Sequence, residues 1–476
     1  MKTLNRFYMD GAWVEPASTA TMPIMNPATN SQIGTLTLGN EEDVQRAVAA
    51  AKRAFETFSL TSKAERLALL ERLLDVTRAR MEDLAQAITS EMGAPITMSR
   101  ESQADCGAGH LEGFIAALKS QEERETLPNG DILTREPIGP CGLITPWNWP
   151  INQIALKVIP ALAAGATCVL KPSEHTPLSA TIYAEIVHEA GYPAGVFNLV
   201  HGDGPTVGAA MSQHPDLNMM SFTGSTRAGA LVSKDAAATV KRVTLELGGK
   251  SPNLVFADSD LLARVAEGVA TCFYNTGQSC DAPTRMLVER SCYDEAIALA
   301  EAAGQAQEVG LPSKEGDHIG PLFDKIQYDR VQAMIQSGID EGARVLVGGL
   351  GKPEGLEDGW FVKPTIFVDV SPEMRIVREE IFGPVLVIMP FDTEEDAIRM
   401  ANDTEYGLAA YIQTGDPERA ERVVRRLRAG GIHINGRNAD YGSPFGGFKR
   451  SGNGREGGLF GLEDYQELKV RPPFAN

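Results

Sequence analysis

Thr167-Cys168-Val169-Leu170-Lys171-Pro172-Ser173-Glu174 is a short apolar run that ends on a lysine and is stopped by a proline. Four β-branched, sulfur-containing or aliphatic residues followed by such a stop read as a buried strand leaving its sheet. Four further runs of the same kind lie at 142–145, 196–200, 218–222 and 243–247, with 167–171 as the second in chain order. Helical patterns at 151–164, 177–190, 205–213 and 225–236 separate them. Short apolar strands alternating with helices of this size predict a parallel sheet with helical crossovers, an α/β fold. Ligands on such sheets bind beyond the carboxyl ends of the strands.

Upstream of this series the chain reads as helical. Asn40 before Glu41 and Glu42 is a helix start, and Val44, Ala47, Val48, Ala51 and Phe55 form one apolar stripe. A second helix is predicted over 61–92, stopped by Gly93, and a third over 99–119, before the charged segment 120–126 breaks the pattern. Residues 131–137 read as a strand. Downstream, a second alternating series runs from Asn253 to about Ile434, with strands at 284–289, 344–347, 365–368 and 385–390. A domain boundary is therefore expected just after Gly248-Gly249. The tail from Tyr441 is glycine-rich and ends in a lone strand pattern at 465–470. Neither that strand nor the one at 131 has an evident partner, so pairing with another subunit is the expected cover for their edges.

A chain of 476 residues can bury a large core and divide into two or three domains. Its net charge of −19 disfavours nucleic acid and anionic membrane surfaces, both of which need clustered Lys and Arg. Six cysteines without a Cys-x-x-Cys pair make neither a disulfide framework nor a zinc pattern, which favours a reducing compartment. No histidine spacing suggests a metal. The segment 1–13 lacks the apolar core of a signal peptide, and the most apolar run, 154–170, is interrupted by Lys157, Pro160 and Gly165. A cytoplasmic protein is the expectation.

Several residues could carry chemistry, and each has a plainer reading. Cys280 lies in the turn-prone segment 275–279 between a helix and a strand, where substrate can reach it; most cysteines simply pack. Strand alternation puts Glu246 opposite Val243, Leu245 and Leu247, either solvated or aimed into a cleft as a general base. Asn148, enclosed in Pro146-Trp147-Asn148-Trp149-Pro150, is a turn residue or a rigidly mounted oxyanion donor. Lys171-Pro172-Ser173-Glu174 puts a carboxylate past a strand end, where it can accept from ribose hydroxyls or simply form a surface pair. Phe222-Thr223-Gly224-Ser225 opens a helix whose amides suit a pyrophosphate. It is not Gly-x-Gly-x-x-Gly, and no Walker lysine is present. Glu379-Glu380-Ile381-Phe382 places an acidic pair beside an aromatic residue at a turn.

Together these segments resemble the aldehyde dehydrogenase superfamily over nearly the whole chain. Seven motifs occur in the family's order: Pro-Trp-Asn-Trp-Pro at 146–150, Lys-Pro-Ser-Glu at 171–174, Phe-Thr-Gly-Ser-Thr at 222–226, Glu-Leu-Gly-Gly-Lys at 246–250, Gly-Gln-Ser-Cys at 277–280, Glu-Ile-Phe-Gly-Pro-Val at 380–385 and Ser-Pro-Phe-Gly-Gly-Phe-Lys at 443–449. The resemblance implies two parallel-sheet α/β domains plus a small β oligomerisation element. The implied NAD-binding domain is 1–119 with 139–248, the catalytic domain 249–447, and the oligomerisation element 120–138 with 462–476, in a homodimer or homotetramer.

It also implies oxidation of an aldehyde to its acid with Cys280 as nucleophile, Asn148 as oxyanion donor and Glu246 as the base for thioester hydrolysis. Cofactor contacts would fall to Trp147, Lys171, Ser173, Glu174, Gly224, Ser225, Glu380 and Phe382. A carboxylate at Glu174 would repel a 2′-phosphate, so NAD is expected over NADP. Asn152, Gln153 and Asp281, with Leu156 where many members have an aromatic, point to a polar or hydroxylated aldehyde. A CoA-acylating relative would not need Glu246, and a cofactor-free cysteine acyl hydrolase would leave 171–174 and 222–229 without purpose.

Overall fold

The computed structural model describes residues 2–474. Met1, Ala475 and Asn476, at the outer ends of the expected 1–119 and 462–476 segments, lie outside the described residues. Five parallel strands form the centre of the first sheet, in the spatial order Phe197–Leu199, Cys168–Lys171, Cys141–Ile144, Met219–Thr223, Arg242–Glu246. Helices cover both faces, so four of these strands are buried throughout. The strand order reverses between Cys141–Ile144 and Met219–Thr223, and a crevice opens beyond their carboxyl ends. The loops that leave there carry Trp147-Asn148 and Gly224-Ser225.

The sheet is longer than the series of five. Phe7–Met9 and Ala12–Val14 extend one edge antiparallel, and Gly452–Asn453 returns from the far end of the chain to flank Arg242–Glu246. Lys2–Leu4, Thr21–Asn26 and Ser31–Thr37 make a separate three-stranded sheet. The first third is thus not helical from its start, a correction to the sequence reading. Lys2–Leu4, Phe7–Met9 and Ala12–Val14 are three residues each, too short to register as a period, and the longer Thr21–Asn26 and Ser31–Thr37 are interrupted by Pro23 and Gly34.

From residue 41 the helices follow. Asn40 caps Glu41–Phe58 by accepting from the Glu42 and Asp43 amides, and Asp43 answers to the Asn40 amide in a capping box. The single helix predicted over 61–92 is two, Lys63–Ala79 and Met81–Glu91, because Arg80 leaves helical geometry at φ −107°, ψ 10°. Its guanidinium bridges Asp83, Glu185 and Glu189, which ties the break to the helix Pro177–Glu189. The third helix opens as a π-helix over Ser99–Ala104 before Asp105–Ser120. Such widened turns re-aim side chains, and here Gln103 is turned toward the Cys280 region.

The second sheet has the order Arg344–Val347, Thr365–Val368, Val385–Phe391, Arg285–Glu289, Pro252–Val255, Ala409–Gln413, Gly431–Ile434, parallel except for the first pair. The segments that enter its strands contain Gly249, Cys280 and Glu380–Phe382. The carboxyl ends of one sheet therefore face the amino ends of the other across a single crevice. The strands at 132–137 and 466–471, expected to seek another subunit, pair with each other along their length, and Arg124–Thr126 adds a third strand inside the stretch read as a break.

Candidate active site

The helix Leu261–Phe273 ends at Tyr274, after which Asn275, Thr276 and Gly277 all take positive φ, 53°, 58° and 67°. Side-chain-bearing residues in this region cost about 1–3 kcal/mol each, so their surroundings must hold them. Asn275 Nδ2 donates to the Asn148 and Gln278 carbonyls, and Thr276 Oγ1 to the Gly320 carbonyl. Gln278 Nε2 donates to the Asn275 carbonyl, and Gln103 Nε2 reaches both the Asn148 carbonyl and Asn275 Oδ1. At Gly277 a Cβ would lie 2.2 Å from the Gly383 carbonyl oxygen, which leaves room only for hydrogen. The loop delivers Cys280, the one cysteine of six that is not buried. Burial pushes its thiol well up, and the carboxyls of Asp281, Glu380 and Glu246 add to the rise.

Asn148 is buried in the turn before the helix Pro150–Ala164, and its amide donates to the Gln278 carbonyl at 3.0 Å. Next to it, Trp149 Nε1 donates to Ser279 Oγ at 2.9 Å. Two neighbouring residues thereby clamp the segment before Cys280. Gly249 closes in from the other side: a Cβ there would lie 2.1 Å from the Cys280 carbonyl oxygen.

Glu246, at the end of Arg242–Glu246, is 2 % exposed, and neither carboxylate oxygen has a hydrogen-bond partner. It sits against Gly446, whose missing Cβ would fall 2.6 Å from Oε1. Burial first, then the neighbouring Glu456, drives its carboxyl well above the usual range, against the pull of Lys157 and Arg455. The seat therefore favours the protonated form of the carboxyl.

Trp147, Asn148, Gly224, Ser225, Cys280, Glu380 and Phe382 all border one cleft of about 200 Å³, together with Gln327 and Arg330. Glu246 is not in its wall, and neither are Lys171, Ser173 and Glu174. The last three lie beyond the adjoining strand end. Lys171 Nζ donates to the Pro172 and Gly202 carbonyls and pairs with Glu174 at 3.2 Å; Ser173 Oγ accepts from the His175 amide. Burial is the largest influence and works to raise the Glu174 carboxyl, but Lys171, a backbone hydrogen bond and His175 together outweigh it and hold the group below its usual range, so Glu174 is charged.

The cleft fits part of a dinucleotide on two counts. Gly248 is a cradle, since a Cβ there would come within 2.4 Å of Glu380 Oε2, whose other oxygen accepts from the Gly249 amide at 2.8 Å. Ser225 caps the helix Thr226–Ala236 by accepting from the Ala228 amide, leaving earlier first-turn amides toward the cleft for an anion. No group of three or more His, Cys, Asp or Glu placed to hold a metal occurs among the described residues.

Residues that sequence reasoning passed over complete the site. Lys157 is fully buried, donates to Ser221 Oγ at 3.2 Å and pairs with buried Glu456 beside Glu246. A lone lysine in the apolar helix 151–164 was the available signal, because a buried charge demands a partner. Gln327 Nε2 donates to the Ile381 and Phe382 carbonyls and Arg330 to the Glu380 carbonyl, which fixes the turn where Phe382 has φ +61°.

A family model described as Aldehyde dehydrogenase family matches residues 13–470. The chain is 52 % identical to 3-succinoylsemialdehyde-pyridine dehydrogenase of a Pseudomonas species, over 99 % of this chain and 98 % of that one. Among solved structures, an aldehyde dehydrogenase from Bartonella henselae superposes with a TM-score of 0.97 at 50 % identity, covering 99 % of each chain. A mutant of aldehyde dehydrogenase C from Pseudomonas syringae, complexed with NAD+ and octanal, gives 0.97 at 49 % identity over 98 % of this chain and 96 % of that one.

Proposed function

The chain belongs to the aldehyde dehydrogenase family and is an NAD-dependent aldehyde dehydrogenase, and we propose that it makes the acid through a thioester on Cys280. The observation that carries this reading is the meeting of the one cysteine not buried with Asn148 in a single cleft. The Cys280 thiol gives its proton to solvent and its sulfur adds to the aldehyde carbon, the carbonyl π pair moving to the oxygen. Asn148 spends one amide N–H on Gln278 and has the second for the oxyanion, a donor worth roughly 3–4 kcal/mol in the transition state. Bound NAD supplies the hydride acceptor. Glu246, swung from its seat against Gly446, takes a proton from water as that water attacks the thioester, and the thiol leaves readily. Lys157 and Glu456 hold the electrostatic surroundings of that seat.

The cofactor would be held by Trp147, Gly224 and Ser225 at its pyrophosphate, by Glu380 and Phe382 at its nicotinamide ribose, and by Lys171, Ser173 and Glu174 at its adenine ribose. The body around the first sheet is the NAD-binding domain and that around the second the catalytic domain. The element built from 132–137 and 466–471 is the oligomerisation piece: Leu468 and Val470 are 64 % and 54 % exposed on its free edge strand, an edge suited to a second copy. Glu174→Gln removes the charge that repels a 2′-phosphate. The ratio of kcat/KM for NAD to that for NADP is expected to fall about 10-fold, as one lost charge contact of roughly 1.4 kcal/mol would give; an unchanged ratio in steady-state assays sinks this role.

For substrate we propose a polar aldehyde. The supporting features are a 2.7 Å hydrogen bond between His110 Nε2 and Asn152 Oδ1, a buried Gln153 Oε1 without a partner, and Asp281 next to the thiol. The relative at 52 % identity is named for an aldehyde bearing a ketone and a pyridine ring, whereas the one at 49 % was complexed with octanal. NADH production from a panel spanning these types, without added CoA, tests the proposal. The polar members should give the higher kcat/KM. High efficiency with octanal alone refutes the substrate assignment, and NADH formation that requires CoA refutes hydrolysis.

A further inference from the structure

Trp147 borders the cleft and packs in part against the core of the first body. Its ring contacts come from the body of the second sheet. Phe323, buried in the loop before the helix Lys325–Asp340, stacks on the indole with centroids 4.3 Å apart and planes 21° apart. Phe382 meets the indole edge-on at 5.6 Å, and His175 meets Phe323 edge-on at 4.7 Å. Trp147 and His175 follow strands of the first sheet; Phe323 and Phe382 belong to the body of the second. The four rings form one chain of aromatic contacts across the crevice, Phe382–Trp147–Phe323–His175, and Phe323 is one of its two inner members although it does not line the cleft itself.

The backbone of Phe323 has a second attachment. Its N–H donates to Gln278 Oε1 at 2.9 Å. Gln278 in turn donates through Nε2 to the Asn275 carbonyl, and its own carbonyl accepts the Asn148 amide. Three residues before Phe323, the Gly320 carbonyl accepts from Thr276 Oγ1 at 3.1 Å. One short segment, 320–323, thus grips the strained loop that carries Cys280 at two points while its aromatic ring holds the indole at the cleft.

We propose that Phe323 is a positioning residue that couples occupancy of the cofactor cleft to the setting of Asn148 and Cys280. A group pressing on Trp147 presses through the stacked ring on the Phe323 backbone, and from there on Gln278. The inference rests on Trp147 being part of the cofactor seat, as proposed above.

The test uses the full-length protein with Phe323→Leu, Phe323→Met and Phe323→Tyr, and Trp147→Ala as reference. NAD affinity is measured by calorimetry without substrate, and Cys280 alkylation by iodoacetamide is followed with and without NAD. Losing an aromatic pair should raise the Kd for NAD about 3- to 10-fold in the Leu and Met variants. The change in alkylation rate that NAD causes in the wild type should vanish in both, and Phe323→Tyr should restore affinity and response. A wild-type Kd in the folded Leu or Met variant overturns the proposal. So does a weakened Kd with the alkylation response intact, or a wild-type protein whose alkylation ignores NAD. If Trp147→Ala itself binds NAD normally, the cofactor seat is misassigned and the inference falls with it.

Discussion

Cys280→Ala will bind NAD as the wild type does and form no acid from any aldehyde. Of the groups that line the cleft the thiol is the strongest nucleophile, and the other five cysteines of the chain are buried. Removing a covalent nucleophile costs catalysis on the order of 10⁴-fold or more, because the remaining contacts bind substrate without activating it. The side chain contributes no hydrogen bond to the loop, whose shape depends on Asn275, Thr276, Gly277 and Gln278. The variant should therefore fold normally, with a melting temperature near that of wild type. NADH absorbance against matched calorimetry checks both halves. Turnover near wild type in the alanine variant would remove the thioester from the mechanism.

Glu246→Gln separates the two halves of the reaction. The first half should survive, so rapid mixing should yield a burst approaching one NADH per Cys280, followed by a steady rate lowered about 10²- to 10⁴-fold, the usual worth of a positioned base. Mass spectrometry should find the acyl group on Cys280. Since burial and Glu456 raise the Glu246 carboxyl well above its ordinary range, wild-type deacylation should rise with pH as that group ionises, and the Gln variant should lose this rise. Stability runs the opposite way with pH. The folded state holds this proton where an unfolded chain releases it, so the wild type is destabilised as pH climbs from the ordinary carboxylate range to the raised value. The Gln variant should escape that loss. Equal burst and steady rates in the variant, or a pH profile identical to wild type, would contradict the role.

The parallel strands were legible because each is a bounded apolar run and four of the five are buried on both faces, and their ends differ by about one residue between sequence and structure. The helix break at Arg80 was not, since no Gly or Pro marks it; ion pairs to Asp83, Glu185 and Glu189 accompany it, and these lie far along the chain. The three-residue strands of the amino-terminal segment carry no period of their own and form only against the sheets they join. At the site, Cys280, Asn148 and Glu246 stood out through local motif chemistry. Lys157, Glu456, Gln278 and Phe323 did not, because what distinguishes them is whom they touch, and those partners are 299, 45 or 130 residues away for the Lys157–Glu456, Gln278–Phe323 and Asn148–Gln278 contacts.

The return of Gly452–Asn453 to the edge of the first sheet means that the two bodies are laced together by the polypeptide. A gene bisected after Gly249 would encode an amino-terminal fragment lacking Glu456 for Lys157, a neighbour for Arg242–Glu246 and the long strand that covers Ile132–Pro137. Neither fragment would own a complete interior. Reconstitution would therefore require the segment 452–471 of one piece to be threaded onto the strands Arg242–Glu246 and Ile132–Pro137 of the other, so that assembly is a second-order event where the intact chain makes it an internal one.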